Sequence, residues 1–183
     1  MLEKEKNPWQ LLSRQTRYQS PWLTLYHDEV ITPAGKKGIY GWIQLQNQAI
    51  GVIPVDAERH TWLIGQYRYT LGRYCWEIPK GGGPEGEPPE QTARRELAEE
   101  TGLRAAEITH LCHFHTSDCV TDETGDLYLA RGLSYGESSP DETEELQVRR
   151  VSLDEAYRMV ESGEITDVIS IIGIQKLKLM GIF

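Results

Sequence analysis

The chain has 183 residues, 39% hydrophobic and 26% charged, a composition that suits one globular domain with at most a small appendage and excludes two full domains or a disordered chain. Its formal net charge of −9 argues against a surface built to neutralise long nucleic acid, whereas a small phosphorylated ligand stays compatible through a few local cations or a bound metal. No apolar run approaches the roughly 18 residues of a membrane span and "MLEKEKNPWQ" lacks a signal-peptide core, so a cytosolic protein without a membrane partner is expected.

In chain order, residues 9–46 contain "WLTLYHDEVITPAGKKGIYGWIQL", in which aromatic and β-branched residues alternate with polar ones around the turn "TPAGKKG". This predicts an antiparallel hairpin or small sheet. Further strands are expected in "AIGVIPVD", "TWLIGQYRY" and "YCWEIP". Next comes "GGGPEGEPP", which reads as a loop unable to hold a regular strand. The segment "PPEQTARRELAEETG" is helical in composition, with prolines tolerable in the first turn and Gly102 as its stop. Strands follow near 108–116 and 126–133, and the acidic stretch 138–146 reads as a solvated loop. Ser152 with Glu155 predicts a capping box for a helix over about 153–162. Thr166 or Asp167 is placed to cap a last helix, "DVISIIGIQKLKLM". Strands, a central helix, more strands and a terminal helical pair give an α/β or α+β fold.

The central helix carries the chemistry. Glu96, Glu99 and Glu100 stand at i, i+3 and i+4 and share one face, where their mutual repulsion needs an offset. Arg94 and Arg95 relieve part of it, and a hard divalent cation with a preference for oxygen ligands, magnesium or manganese, relieves it more fully. Ala93 and Leu97 form an i, i+4 pair suited to packing on a sheet. From three glutamates alone, an ordinary solvated acidic helix is the favoured reading.

The spacing around them decides. From Gly81, five residues lead to Glu87, seven more to Arg95, and "RELAEETGL" follows without a gap. This resembles the signature of the Nudix hydrolases: Gly81, Glu87, Arg95, Glu96, Leu97, Glu99, Glu100, Gly102 and Leu103 fill every fixed position. The resemblance implies an α/β/α sandwich with a mixed sheet and hydrolysis of a nucleoside diphosphate linked to another moiety. It implies Glu96 and Glu100 as principal metal positions, Glu99 as a third carboxylate that takes part in catalysis, and the backbone carbonyl of Lys80 as a further oxygen. Arg95 and Glu87 would orient the glutamates and lock the loop to the helix.

Beyond the signature, "IGQYRYTLGRYCWEIPKG", "DLYLARGL" and "DETEELQVRRVSLDEAYRMVESGEITD" look most like the ADP-ribose pyrophosphatase branch, which cleaves nucleoside diphosphate sugars. That resemblance implies Arg68 and Glu77 as substrate contacts, Trp22 and Tyr26 as aromatic residues able to stack on a base, and Ser117 in the loop "TSDCVTDETGD" as a further contact. Glu123 matches a loop glutamate proposed as general base. It also implies an N-terminal β segment, residues 1–45, that builds a homodimer beside a hydrolase domain over 46–183. Two departures stand out: Asp118 and Cys119 replace a proline and glycine of the branch, and "PKG" replaces "PAG", so that Lys80 either adds a cation near the phosphates or points to solvent. The expected substrates are nucleoside diphosphate sugars, ADP-ribose or a relative such as GDP-mannose. Nucleoside triphosphates or dinucleoside polyphosphates are the alternative for an enzyme, and a nucleotide-sugar sensor is the non-catalytic one. Cys75, Cys112 and Cys119 show no metal or disulfide spacing, and His110, His113 and His115 read as ordinary strand or cleft histidines.

Overall fold

The structure, a computed structural model, describes residues 6–136 and 146–183. Of the acidic stretch 138–146 only Leu146 is among the described residues, so the expected loop lies outside them. Residues 1–47 with 115–123 form one compact unit, and 48–114 with 124–183 form another.

In the first unit, β1 (Gln10–Gln19), β2 (Leu23–Ile31) and β3 (Lys37–Leu45) make an antiparallel sheet in that order. The expected hairpin or small sheet is thus a small sheet: β2–β3 form the hairpin around the turn, and β1, exposed on nearly every residue, adds a third strand. Segment 117–122 joins this sheet: Ile43 N donates to the carbonyl of Val120 (2.9 Å), and Leu45 N to Asp122 Oδ1 (2.9 Å).

The second unit holds β4 (Gln48–Pro54), β5 (His60–Arg68), β6 (Arg73–Glu77), β7 (Lys80–Gly83), α1 (Pro89–Thr101), β8 (Leu103–His115), β9 (Thr124–Tyr135), β10 (Gln147–Ser152), α2 (Leu153–Glu161) and α3 (Val168–Leu179). One sheet is ordered β7-β4-β9-β8 and the other β10-β5-β6. The first is mixed, because β4 runs antiparallel to β7 and parallel to β9. Alternation along the central strands sorts the core into two layers. Ile50 and Val52 of β4 and Tyr128 and Ala130 of β9 pack with Ala93 and Leu97 of α1. Ile53, Leu127 and Leu129 turn the other way, toward Ala156 and Met159 of α2 and Ile169, Ile174 and Leu177 of α3. This is the α/β/α sandwich with a mixed sheet that the Nudix resemblance implies.

The glycine run departs from expectation. Lys80–Gly83 is not loop but strand β7, with Gly81, Gly82 and Gly83 opposite Ile50, Ala49 and Gln48. A ladder needs only backbone groups, and pairing with β4 overrides glycine's weak strand propensity. At the helix ends the reading agrees: Pro89 opens α1, Gly102 closes it in the left-handed region at φ 70, and Asp167 caps α3 through Ser170 N. Ser152 accepts from Glu155 N, while the Glu155 carboxylate goes to Arg149. Among the described residues no helix is long and apolar enough to cross a membrane.

Candidate active site

Helix α1 is anchored on its apolar side, with Ala93 and Leu97 fully buried against the sheet. Glu96 and Glu100 are nevertheless buried too, at 9% and 7% exposure, so their charges must be matched locally. Arg95 supplies much of that match. Its Nη1 donates to Glu96 Oε1 (2.7 Å) and Glu99 Oε2 (2.9 Å), and its Nη2 to the carbonyl of Gly82 (3.1 Å) and Glu87 Oε2 (3.2 Å). The guanidinium fork therefore ties loop, strand and helix together. Glu87 also accepts from the hydroxyl of the fully buried Thr92 (2.6 Å), and the bonds from Arg95 and then Thr92 hold its carboxyl below the usual range.

Strand β7 approaches the helix closely. A Cβ on residue 81 would overlap the carboxylate of Glu96, so glycine there reserves that room. The adjacent Lys80 N donates to Glu100 Oε2 (2.9 Å). Three carboxylates on one helical face, beside a strand whose room is kept for one of them, form an all-oxygen donor set that fits a hard divalent cation.

Arg68, Glu77 and Lys80 form a second cluster. Glu77, 3% exposed, accepts two bonds from Arg68 Nε and one from Nη2 (2.5 Å), and its Oε2 lies 2.9 Å from Lys80 Nζ. Lys80 Nζ also pairs with Asp167. Burial would raise the pKa of Glu77, but the bond from Arg68 and the charge of Lys80 outweigh it and hold the carboxyl low. Asp167 behaves alike: burial is opposed by Lys80 and by Ser170, leaving its pKa lowered. Lys80 therefore neither points to solvent nor stands as an uncommitted cation. Its side chain is 15% exposed and bound at two carboxylates.

The remaining predicted residues belong to the first unit. Trp22 lies in the turn before β2 rather than on the strand, and is 70% exposed. Tyr26 on β2 has Trp42 at 5.0 Å between centroids and Arg14 over its ring at 4.8 Å. Ser117 accepts at its carbonyl from Thr121 N (3.1 Å), and Glu123 Oε2 accepts from Thr116 Oγ1 (2.5 Å). The structure thus gathers Glu87, Arg95, Glu96, Glu99 and Glu100 in one cluster and Arg68, Glu77 and Lys80 in another, joined by the Lys80 amide on Glu100. Thr92 and Asp167 are the members that the sequence reading does not assign to the site. Asp167 signals itself only as a helix cap.

Two other polar groups lie outside this region. His110 Nε2 and His113 Nδ1 both contact Asp126 Oδ1, at 2.8 and 3.3 Å. Asp56, Glu58 and His60 converge at the β4–β5 turn, where Arg150 bonds both carboxylates and already supplies the counter-charge.

Comparison with known proteins agrees with this geometry. Residues 45–167 match the NUDIX domain, and residues 9–43 match the nucleoside diphosphate sugar hydrolase N-terminal domain. An ADP-ribose pyrophosphatase of Bacillus subtilis (strain 168) is 35% identical over 170 residues, 92% of this chain and 91% of that protein. The methanol dehydrogenase activator of Bacillus methanolicus is 38% identical over 133 residues, 72% of each chain. A crystal structure of an ADP compounds hydrolase superposes with a TM-score of 0.85 at 21% identity, covering 94% of this chain and 93% of that one. With the signature complete in the sequence, its carboxylates assembled on α1 and the domain match spanning most of the chain, the protein belongs to the Nudix family.

Proposed function

We propose that the protein is a metal-dependent pyrophosphohydrolase of nucleoside diphosphate sugars of the ADP-ribose type, releasing a nucleoside monophosphate and a sugar phosphate. The observation that carries this reading is a complete, assembled carboxylate cluster in a chain that also matches a nucleoside diphosphate sugar hydrolase N-terminal domain. Relatives named ADP-ribose pyrophosphatase along nearly their whole length support the substrate class. Lys80 is paired with Glu77 and Asp167, which leaves Arg68 as the cation offered to the diphosphate in this reading.

Glu96, Glu99, Glu100 and the Lys80 carbonyl would hold Mg2+ or Mn2+, which supplies charge neutralisation at the diphosphate oxygens when bound. Arg95 and Glu87 hold those carboxylates in place. Arg68, oriented by Glu77, offers paired N–H donors to a phosphate group. Glu123 receives the proton of the attacking water as its oxygen bonds to phosphorus and the bridging P–O bond breaks. Ser117 and the exposed ring of Trp22, with Tyr26, contact the rest of the nucleotide. Exposed Leu11, Leu12, Tyr18 and Ile39 of the first unit's sheet support a homodimer built through that segment.

The test is turnover of ADP-ribose, GDP-mannose, other nucleotide sugars, nucleoside triphosphates and dinucleoside polyphosphates with magnesium, read as phosphate after phosphatase treatment. ADP-ribose or another nucleotide sugar is expected to lead, and Glu100→Gln to lose about 100-fold or more with its circular dichroism unchanged. Turnover of none of the panel would overturn the reading.

A further inference from the structure

We propose that the Thr92 hydroxyl is a positioning group for the ion-binding carboxylates, acting through Glu87 on the Arg95 fork; this rests on the reading of α1 as a divalent-ion site. Helix α1 holds two threonines that use their hydroxyls differently. A helical threonine ordinarily donates back to the carbonyl four residues earlier, and Thr101 does so, to Leu97 (2.5 Å). Thr92 does not. The carbonyl of Pro88 is taken by the amides of Gln91 (2.8 Å) and of Thr92 itself (3.2 Å), and the Thr92 hydroxyl leaves the helix to donate to Glu87 Oε2 at 2.6 Å.

Two features bring these groups together. Ahead of the helix, Glu87 N donates to the carbonyl of Pro84 (3.1 Å) and Gly86 sits at φ 89, a turn that folds Glu87 back over the start of α1. On the other side, Thr92 is fully buried beside β7, where a Cβ on residue 83 would stand 3.2 Å from its hydroxyl oxygen. A β-branched side chain packed in this way has little freedom at χ1, so its hydroxyl is a fixed point. Glu87 by contrast belongs to a loop and depends on its partners for its place.

Arg95 transmits that placement. Glu87 accepts from Arg95 Nε (3.4 Å) and Nη2 (3.2 Å), both longer than the bond from Thr92, while Arg95 Nη1 donates to Glu96 (2.7 Å) and Glu99 (2.9 Å). A guanidinium is planar, so fixing its Nε–Nη2 edge fixes the direction of Nη1. Thr92 thereby anchors one edge of the fork, and the other end sets two of the carboxylates offered to the ion. Without the hydroxyl, only the two longer bonds from Arg95 hold the Glu87 carboxylate, and the alignment of Glu96 and Glu99 loosens.

The experiment measures Mn2+ affinity by electron paramagnetic resonance, without substrate, and the thermal midpoint for the wild type, Thr92→Val, Thr92→Ser, Glu87→Ala and the double variant Thr92→Val/Glu87→Ala. Thr92→Val keeps the buried volume and exchanges the hydroxyl for a methyl; it is expected to weaken Mn2+ binding about 10-fold. Thr92→Ser keeps the hydroxyl and loses a buried methyl, so its midpoint should fall while Mn2+ binding stays within about twofold of wild type. Because Thr92 acts through Glu87, the double variant should bind within about twofold of Glu87→Ala. Wild-type affinity in Thr92→Val, a serine variant as weak as the valine one, or losses that multiply in the double variant would each overturn the proposal. A wild-type protein that binds no Mn2+ would instead overturn the ion-site reading itself.

Discussion

Gly81 marks the place where an absent side chain matters most. Because β7 is fixed in the ladder with β4 and Glu96 is fixed by Arg95, a methyl group on residue 81 has no free volume to enter. Gly81→Ala should cost about 1–3 kcal/mol as an overpacking strain, seen as a lower thermal midpoint, together with weaker Mn2+ binding as Glu96 is displaced. An unchanged midpoint and affinity would show that the carboxylate has room to retreat. At this scale the sequence was informative where the partners are close along the chain: Gly81, Glu87, Arg95 and the glutamates stand at spacings that a loop and one helix impose. Neither reading of the Lys80 side chain, a cation near the phosphates or a solvated one, anticipates its second partner Asp167, which comes from the far end of the domain, and Thr92 is an unremarkable helical threonine until Glu87 folds back onto it.

The elements were legible in proportion to how much their own residues decide. Helix α1 has proline at one end, glycine at the other and a buried Ala93/Leu97 stripe, and all three signals are local. Leu97→Ala should therefore destabilise by about 2–5 kcal/mol in chemical denaturation. Strand β7 is not legible, since it is almost all glycine, and β1 is legible only as part of a small sheet, since it is exposed on nearly every residue; each exists because a neighbouring strand offers a backbone ladder. The sheet of the first unit has its own electrostatic lock. Asp28, 5% exposed, accepts two bonds from Arg14 (2.8 Å each) and one from Trp42 Nε1 (3.0 Å), and the Arg14 bonds hold its carboxyl below the usual range. A carboxyl depressed in the folded state binds its proton more readily when unfolded. Its contribution is thus fully present above the unfolded value of about 4 and is lost as pH falls through the lower folded value. Stability measured from pH 6 down to 2 should show this loss, and Asp28→Asn should flatten it; an identical acid slope in the variant would assign the loss to other carboxyls.

At the scale of the molecule, two compact units follow one another along the chain, and a short segment, 115–123, returns to the first. Patterning indicates an α/β or α+β fold and the Nudix resemblance implies the sandwich, whose strands alternate toward two helical layers, but neither indicates this return, which depends on the pairing of Ile43 with Thr121. The apolar surface on β1–β3 predicts that light scattering will give twice the 20.9 kDa chain mass, and that Leu12→Glu with Ile39→Glu will halve it. A monomeric wild type at micromolar concentration would remove the proposed dimer. The parallel pair at the centre of the sandwich bears on how the chain reaches this state. Strand β4 pairs on one side with β7, which follows after two strands, and on the other with residues 125–130 of β9, which arrive only after α1 and β8 are in place. The carboxylate helix thus belongs to a segment that can begin to pair early, yet the core beneath it closes only when a distant strand docks. Contacts so far apart in sequence carry a large loop-closure cost, and refolding is expected in the millisecond-to-second range rather than in microseconds.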